Sequence, residues 1–88
     1  MDVTVMFDVQ NEAGDMVGTV FIDSSKFEDV KNYSWSLNAD GYPCAYIDGV
    51  MKTLHEFVMG SKKEGCVIDH INHDGCDARR NNLRFVSD

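Results

Sequence analysis

The 88-residue sequence lacks any apolar run near the length of about 20 residues that a transmembrane helix requires. Its first residues lack the basic region that opens a secretory signal peptide. Repeats, low-complexity segments and linker-like stretches are also absent, and a chain of this length has room for one small core. The sequence therefore predicts a single domain, residues 1–88, located in the cytosol and without a membrane partner.

The cysteines show no pattern typical of a disulfide framework. Cys44, Cys66 and Cys76 are an odd number and include no Cys-x-x-Cys pair, which favours free thiols. Two of them lie near histidines, because Cys66, His70, His73 and Cys76 fall within eleven residues and offer zinc-type donors. Their spacing is irregular, so we interpret the zinc alternative as chance proximity.

Basic residues are scarce in this chain. Eight Lys and Arg stand against 15 Asp and Glu, for a net charge of −7. The excess lies in residues 1–50, with nine acids and two bases, whereas residues 51–88 carry six of each. Because phosphate contacts supply most non-specific affinity for nucleic acid, the composition predicts weak generic DNA binding unless the basic side chains share one face.

The first half of the sequence has the pattern of a β-hairpin followed by a helix. Residues 3–9 and 16–22 are rich in β-formers and flank a polar loop. Ser24 or Ser25 is predicted to cap a short helix with acidic residues in its first turn. A strand is expected around Trp35.

Short local signals organise the rest of the chain. Residues 42–47 have the alternation of a strand and lead into Asp48-Gly49, which is a strong turn signal. Residues 54–59 predict a short helix that ends at Gly60. The remaining predictions are a buried strand over residues 66–71, a loop over 72–76, a helix over 77–83 capped by Asp77, and a strand over 84–87.

The most informative stretch is Val67-Ile68-Asp69-His70-Ile71-Asn72, followed by Asn82-Leu83-Arg84. With the upstream Thr53-Leu54-His55, it resembles the HNH family of His-Me finger endonucleases, small phage and mobile-element type. The resemblance extends over nearly the whole chain. It implies an α+β fold in which an acidic, β-rich part with an N-terminal hairpin and short helix, residues 1–50, precedes a ββα HNH-like core, residues 51–88.

The resemblance also implies roles for single residues. His70 would be the general base that deprotonates water, Asp69 would bind a divalent cation, Mg²⁺ or Zn²⁺, and Asn82 would orient His70. His55 would contact a phosphate or shape the catalytic pocket, and half-buried packing explains it equally well. The residues expected to contact nucleic acid are Arg79, Arg80 and Arg84.

One departure from the family decides the functional expectation. The family brings a second metal ligand from a helix after Asn-Leu-Arg, and this sequence ends at Asp88, so His73 or Asp74 is the candidate replacement. We therefore expect a degenerate, phage-encoded HNH-like protein that binds no cofactor and inhibits a nucleic-acid-handling host defence complex of the CRISPR or restriction type. The alternatives are an active metal-dependent DNA endonuclease and a purely structural or regulatory phage module.

An inhibitor of this kind would act as a DNA mimic toward a basic, nucleic-acid-binding partner. Its contacts would come from carboxylates of the acidic first half, which imitate phosphates in charge. The residues predicted to bind the partner are Asp8, Glu12, Asp15, Asp23, Glu28, Asp29, Asp40 and Asp48.

Overall fold

Two sheets and two short helices form the parts of the chain that the computed structural model describes, residues 2–11, 13–60 and 64–87. This α+β architecture confirms the predicted fold class. The elements in chain order are β1 (Thr4–Gln10), β2 (Met16–Asp23), α1 (Ser24–Val30), β3 (Ser36–Leu37), β4 (Pro43–Ile47), β5 (Val50–Thr53), α2 (Leu54–Met59), β6 (Cys66–His70), a 3₁₀ turn (Arg80–Asn82) and β7 (Leu83–Ser87).

The predicted N-terminal hairpin is confirmed. β1 and β2 pair antiparallel from Thr4 opposite Asp23 to Gln10 opposite Met16. Alternate side chains of a strand point to opposite faces, and here one face buries Val9, Val20 and Ile22. The five-stranded sheet has the order β2-β1-β3-β4-β5, and β2 lies at one of its edges.

The first helix forms where expected but is capped differently. Ser24 is already the first helical residue, and the side chain of the N-cap residue, Asp23, makes no capping bond. Asp2 caps the helix instead, because its carboxylate accepts hydrogen bonds from the Ser25 backbone N–H at 2.8 Å and the Ser24 hydroxyl at 3.2 Å. The predicted serine cap and acidic first turn are therefore wrong.

The turn at Asp48-Gly49 and the second helix follow the sequence signals. Asp48 and Gly49 have φ values of 53° and 82°, the left-handed pair that a tight β4–β5 hairpin requires. α2 starts after Thr53, which forms a capping box with Glu56, and ends at Gly60 with φ 82°. Neither described helix has the length and apolar character needed to span a membrane.

One hydrophobic core joins residues 1–50 and residues 51–88, the two parts that were distinguished in the sequence. That boundary falls within β5, whose residues pair with β4. The core draws buried side chains from both parts: Val9, Val20, Ile22, Val30, Leu54, Val58, Ala78 and Leu83. The acidic part and the HNH-like part consequently fold as one unit.

The second sheet is the β6–β7 ribbon, and the segment before β7 departs from prediction. The helix expected over residues 77–83 is wrong, because Asp77 forms a parallel bridge with Phe21 of β2. Its neighbours bond the same residue: Phe21 N–H donates to the Cys76 carbonyl at 3.0 Å, and Ala78 N–H donates to the Phe21 carbonyl at 2.8 Å. Main-chain groups engaged with β2 are not available to a helix.

Candidate active site

His70 is the last residue of β6 and pairs with Leu83 of β7. Strand alternation puts it on the same face as Ile68, which packs against the core, and only 6% of the His70 surface is exposed. Its Nε2 atom is buried and has no hydrogen-bond partner among the residues that the structure describes. A polar atom left in that state is costly, which marks the imidazole as a functional candidate.

Three rings from different elements meet at this position. Tyr42, just before β4, stacks on His70 with ring centroids 5.6 Å apart and planes at 19°. His55 of α2 lies edge-on to His70 at 4.8 Å and 85°, and to Tyr42 at 5.3 Å and 70°. The sequence grouped His55 with His70 only through the family resemblance, and no motif singled out Tyr42.

His55 is held by the residue that caps its own helix. Its Nε2 lies 3.0 Å from the Thr53 hydroxyl, and its Nδ1 is buried with no hydrogen-bond partner in the described part of the chain. Burial, reinforced by the nearby His70, lowers the pKa of His55 from 6.5 to about 4, although Glu56 acts in the opposite direction. His55 is therefore neutral at pH 7.

Burial also lowers the pKa of His70, against the opposing charges of Asp69, Asp74 and Asp77. Desolvation disfavours the imidazolium, so the ring is neutral at pH 7. A neutral imidazole is the form that accepts a proton as a general base.

Asn82 ties together the loop that follows His70. Its carbonyl accepts from Ile71 N–H at 2.8 Å, and its side-chain oxygen accepts from Asn72 N–H at 3.1 Å. Its amide nitrogen donates to the Asn72 side-chain oxygen at 3.0 Å and to the Asp77 carbonyl at 2.9 Å. The side chain, 6% exposed, thus joins both ends of the loop.

Asp77 is the second anchor of this loop, a role that sequence reasoning missed by treating it as a helix cap. It is 3% exposed and forms a bidentate pair with Arg79, with bonds of 2.8 Å from Nε and 2.7 Å from Nη2. Asn72 donates to the same carboxylate at 2.8 Å. The hydrogen bonds from Arg79 hold the pKa of Asp77 below its usual range.

The three arginines predicted to contact DNA do not form a free basic patch. Arg79 is engaged by Asp77, and Arg84 pairs with Asp69 across the ribbon at 2.9 Å. Arg80 is exposed, and its guanidinium donates to the Leu83 carbonyl at 3.2 Å. The guanidinium of Arg80 is the one of the three that has no carboxylate within ion-pair distance among the described residues.

The predicted metal ligands do not meet. Asp69 is adjacent to His70 along β6 and so points to the opposite face of the ribbon, where it bonds Arg84. His73 lies in the exposed loop with φ 64°. Across residues 2–11, 13–60 and 64–87, no three His, Cys, Asp or Glu side chains group in a way that could hold a metal ion, and this includes the zinc-type set containing Cys66 and Cys76.

The predicted acidic partner surface is partly engaged within the fold. Asp23 accepts from Arg80 N–H at 2.8 Å, Asp8 accepts from the Thr19 hydroxyl at 3.1 Å, and Glu28 pairs with Lys31. Glu12 lies outside the described residues. The other predicted contacts are exposed carboxylates, namely Asp15, Asp29, Asp40 and Asp48.

A groove of 340 Å³ opens beside His55, between α2 and β6. Lys52, Cys66 and Ile68 are among its lining residues. Lys52 and Glu56 therefore bring opposite charges to the groove beside His55. Nothing in the local sequence around Lys52 singled it out, because its position depends on how β5 packs.

The sequence is similar over 72 residues, at 33% identity, to an uncharacterized HNH endonuclease of Acanthamoeba polyphaga mimivirus. The match covers 76% of this chain and 38% of the viral protein, so the chain spans little more than a third of that relative's length. No family model and no solved structure matches the chain. The similarity points to a relation with HNH proteins, in agreement with the motif around His70.

Replacing Asn82 by Ala should lower the free energy of unfolding by about 2 kcal/mol, because it leaves buried loop groups unpaired. Urea unfolding at pH 7 measures the change. The matched control is Asn81→Ala at the adjacent exposed position, which should stay within about 0.5 kcal/mol of wild type. Equal losses in the two variants would contradict a bracing role for Asn82.

Stability should fall as the pH is lowered from 6.5, because unfolded histidine takes up a proton near 6.5 whereas folded His55 does so only near pH 4. The unfolded chain then binds more protons, so acid favours unfolding, and His70 acts in the same direction. Between pH 6.5 and pH 5, His55 alone should account for about 1–2 kcal/mol.

Urea unfolding at pH 7, 6 and 5 tests this dependence. His55→Phe should flatten the decline, while His73→Gln, at an exposed loop position, should retain it. Curves for wild type and His55→Phe that run parallel between pH 7 and 5 would show that His55 is not held neutral by burial.

Proposed function

We propose that this chain carries the general-base part of an HNH-type nuclease centre that hydrolyses DNA phosphodiester bonds. The observation that carries the proposal is His70: a buried, neutral imidazole at the end of β6, followed by a loop that Asn82 ties at both ends. The viral relative, which is named an HNH endonuclease, supports the same interpretation.

The proposed reaction uses His70 as the proton acceptor. Nε2 is the buried nitrogen, which leaves Nδ1 to take a proton from a water molecule as its oxygen bonds to phosphorus. The bond from phosphorus to the leaving oxygen breaks, and solvent protonates that oxygen. Asn82 is a positioning residue in this scheme, because it fixes the main chain immediately after His70.

The described residues do not by themselves fit a divalent cation. Asp69 offers the carboxylate nearest to His70 in sequence, but Arg84 already neutralises it and the strand directs it to the other face. A divalent cation held by one paired carboxylate lacks the oxygen ligands that fix its geometry. We therefore assign no catalytic step to a metal bound by these residues.

Contacts with DNA in this proposal come from few basic groups. Arg80 is exposed, and Lys52 lines the groove near His55. Because Arg79 and Arg84 are engaged in ion pairs, they neutralise carboxylates close to His70 and add little free positive charge. Affinity for duplex DNA should accordingly be weak and steeply dependent on salt.

The inhibitor hypothesis is our second candidate and stays a prediction. Exposed acids such as Asp29 and Asp40 keep the negative surface that a DNA mimic needs. The name of the viral relative points to a nuclease, and Asp23 serves the fold by binding Arg80 N–H. We therefore favour the nuclease hypothesis over the inhibitor hypothesis.

Supercoiled plasmid incubated with the protein in Mg²⁺ or Mn²⁺ should be nicked, and His70→Ala should lower the rate by about 100-fold or more, as expected for loss of a general base. His73→Ala, at the exposed loop histidine, is the control and should retain the rate. Parallel reactions in EDTA measure any metal requirement directly. Absence of nicking, or equal nicking by the His70→Ala protein, would refute the nuclease proposal.

A further inference from the structure

Within residues 2–11, 13–60 and 64–87, two buried ring nitrogens in neighbouring side chains have no hydrogen-bond partner. They are Nδ1 of His55 and Nε2 of His70, in rings whose centroids lie 4.8 Å apart. A buried polar atom is normally satisfied by protein or by ordered water. Because the two rings are in contact, a single hydrogen-bonding group between them would satisfy both nitrogens.

The hydrogen bonds of Thr53 fix which nitrogen of His55 carries the proton. The Thr53 hydroxyl lies 2.8 Å from the Glu56 carboxylate, which can only accept, so the hydroxyl donates there. The hydroxyl oxygen then accepts from His55 Nε2–H at 3.0 Å. A neutral imidazole has one N–H, and His55 Nδ1 is consequently a lone pair that requires a donor.

We propose that His55 is a positioning residue for the nuclease reaction, accepting the Nε2–H of His70 through one buried water and so holding the Nδ1 lone pair of His70 ready to act as base. The inference rests on the proposed function. The water would accept from His70 Nε2–H and donate to His55 Nδ1, which satisfies both atoms. The relay runs from His70 through His55 and Thr53 to Glu56.

Tyr42 supports the same arrangement from the other side. Its ring stacks nearly parallel to His70, at 19°, and therefore resists rotation of the imidazole out of its plane. Gly75 in turn lies against Tyr42, where an added Cβ would be 2.7 Å from the ring. The orientation of His70 is thus confined by packing, which leaves its tautomer to be set by the acceptor that faces Nε2.

Nitrogen-15 NMR of the labelled full chain at pH 7 tests the proposal without any activity. Two-bond proton–nitrogen correlations identify the protonated nitrogen of each of the three histidines, and His73→Gln assigns the loop signal. Wild-type His70 should carry its proton on Nε2, with a downfield N–H cross-peak that is protected from exchange. A proton on Nδ1 of His70 would overturn the proposal.

Two substitutions separate the acceptor from simple packing. His55→Asn places an amide oxygen near the position of Nδ1 and should keep the protected Nε2–H signal of His70. His55→Phe keeps a ring of similar size without an acceptor, so the signal should shift upfield or broaden into exchange. An unchanged signal in a folded His55→Phe protein would overturn the proposal, and where that variant does not fold, loss of the signal in His55→Asn would do so.

Kinetics give a second readout that packing alone would not produce. His55→Phe should lower kcat on the order of 10-fold or more, as expected when the tautomer of a base is no longer set, while KM stays unchanged. His55→Asn should recover most of kcat. If the NMR result holds but the plasmid is not cut, the nuclease function fails and the histidine relay stands. If the plasmid is cut by a protein whose His70 is protonated on Nδ1, the relay and the assignment of Nδ1 as the base both fail, whereas the nuclease function stands.

Discussion

Two main-chain hydrogen bonds at Phe21 determine where the candidate site is built. They join the segment from Cys76 to Ala78 to β2, which is an edge strand of the larger sheet, and so cover part of an open edge. With that segment fixed, the Asp77 carbonyl lies within reach of Asn82, and the two ends of the loop close. The β6–β7 ribbon, and His70 with it, is held against the core as a result.

Elements whose signals are local were predictable from the sequence. Asp48-Gly49 supplies two left-handed residues at a tight turn, and Gly60 ends the helix that starts at Leu54. The alternation of β1 and β2 likewise fixes one face of the hairpin inside. In each case the deciding residues are neighbours in the chain, so the competing structures are few.

The parts of the fold and of the site that were not predicted from the sequence depend on contacts between residues that are distant in the chain. Asp77 has the local pattern of a helix cap, yet its main chain pairs with Phe21 and its carboxylate pairs with Arg79. Asp23 belongs to the acidic surface by composition, but it binds Arg80 N–H. The ring cluster joins Tyr42 to histidines from α2 and β6, and no spacing in the sequence relates those three elements.

Burial explains why an acidic chain can hold a neutral base, because desolvation is the largest effect on the pKa of His70. Asp69, Asp74 and Asp77 favour the protonated form of His70 and so oppose the effect of burial. Asp69 is paired with Arg84 and Asp77 with Arg79, which limits the charge that two of these three carboxylates present. The same pairing leaves Arg79 and Arg84 with little free positive charge to attract a phosphate.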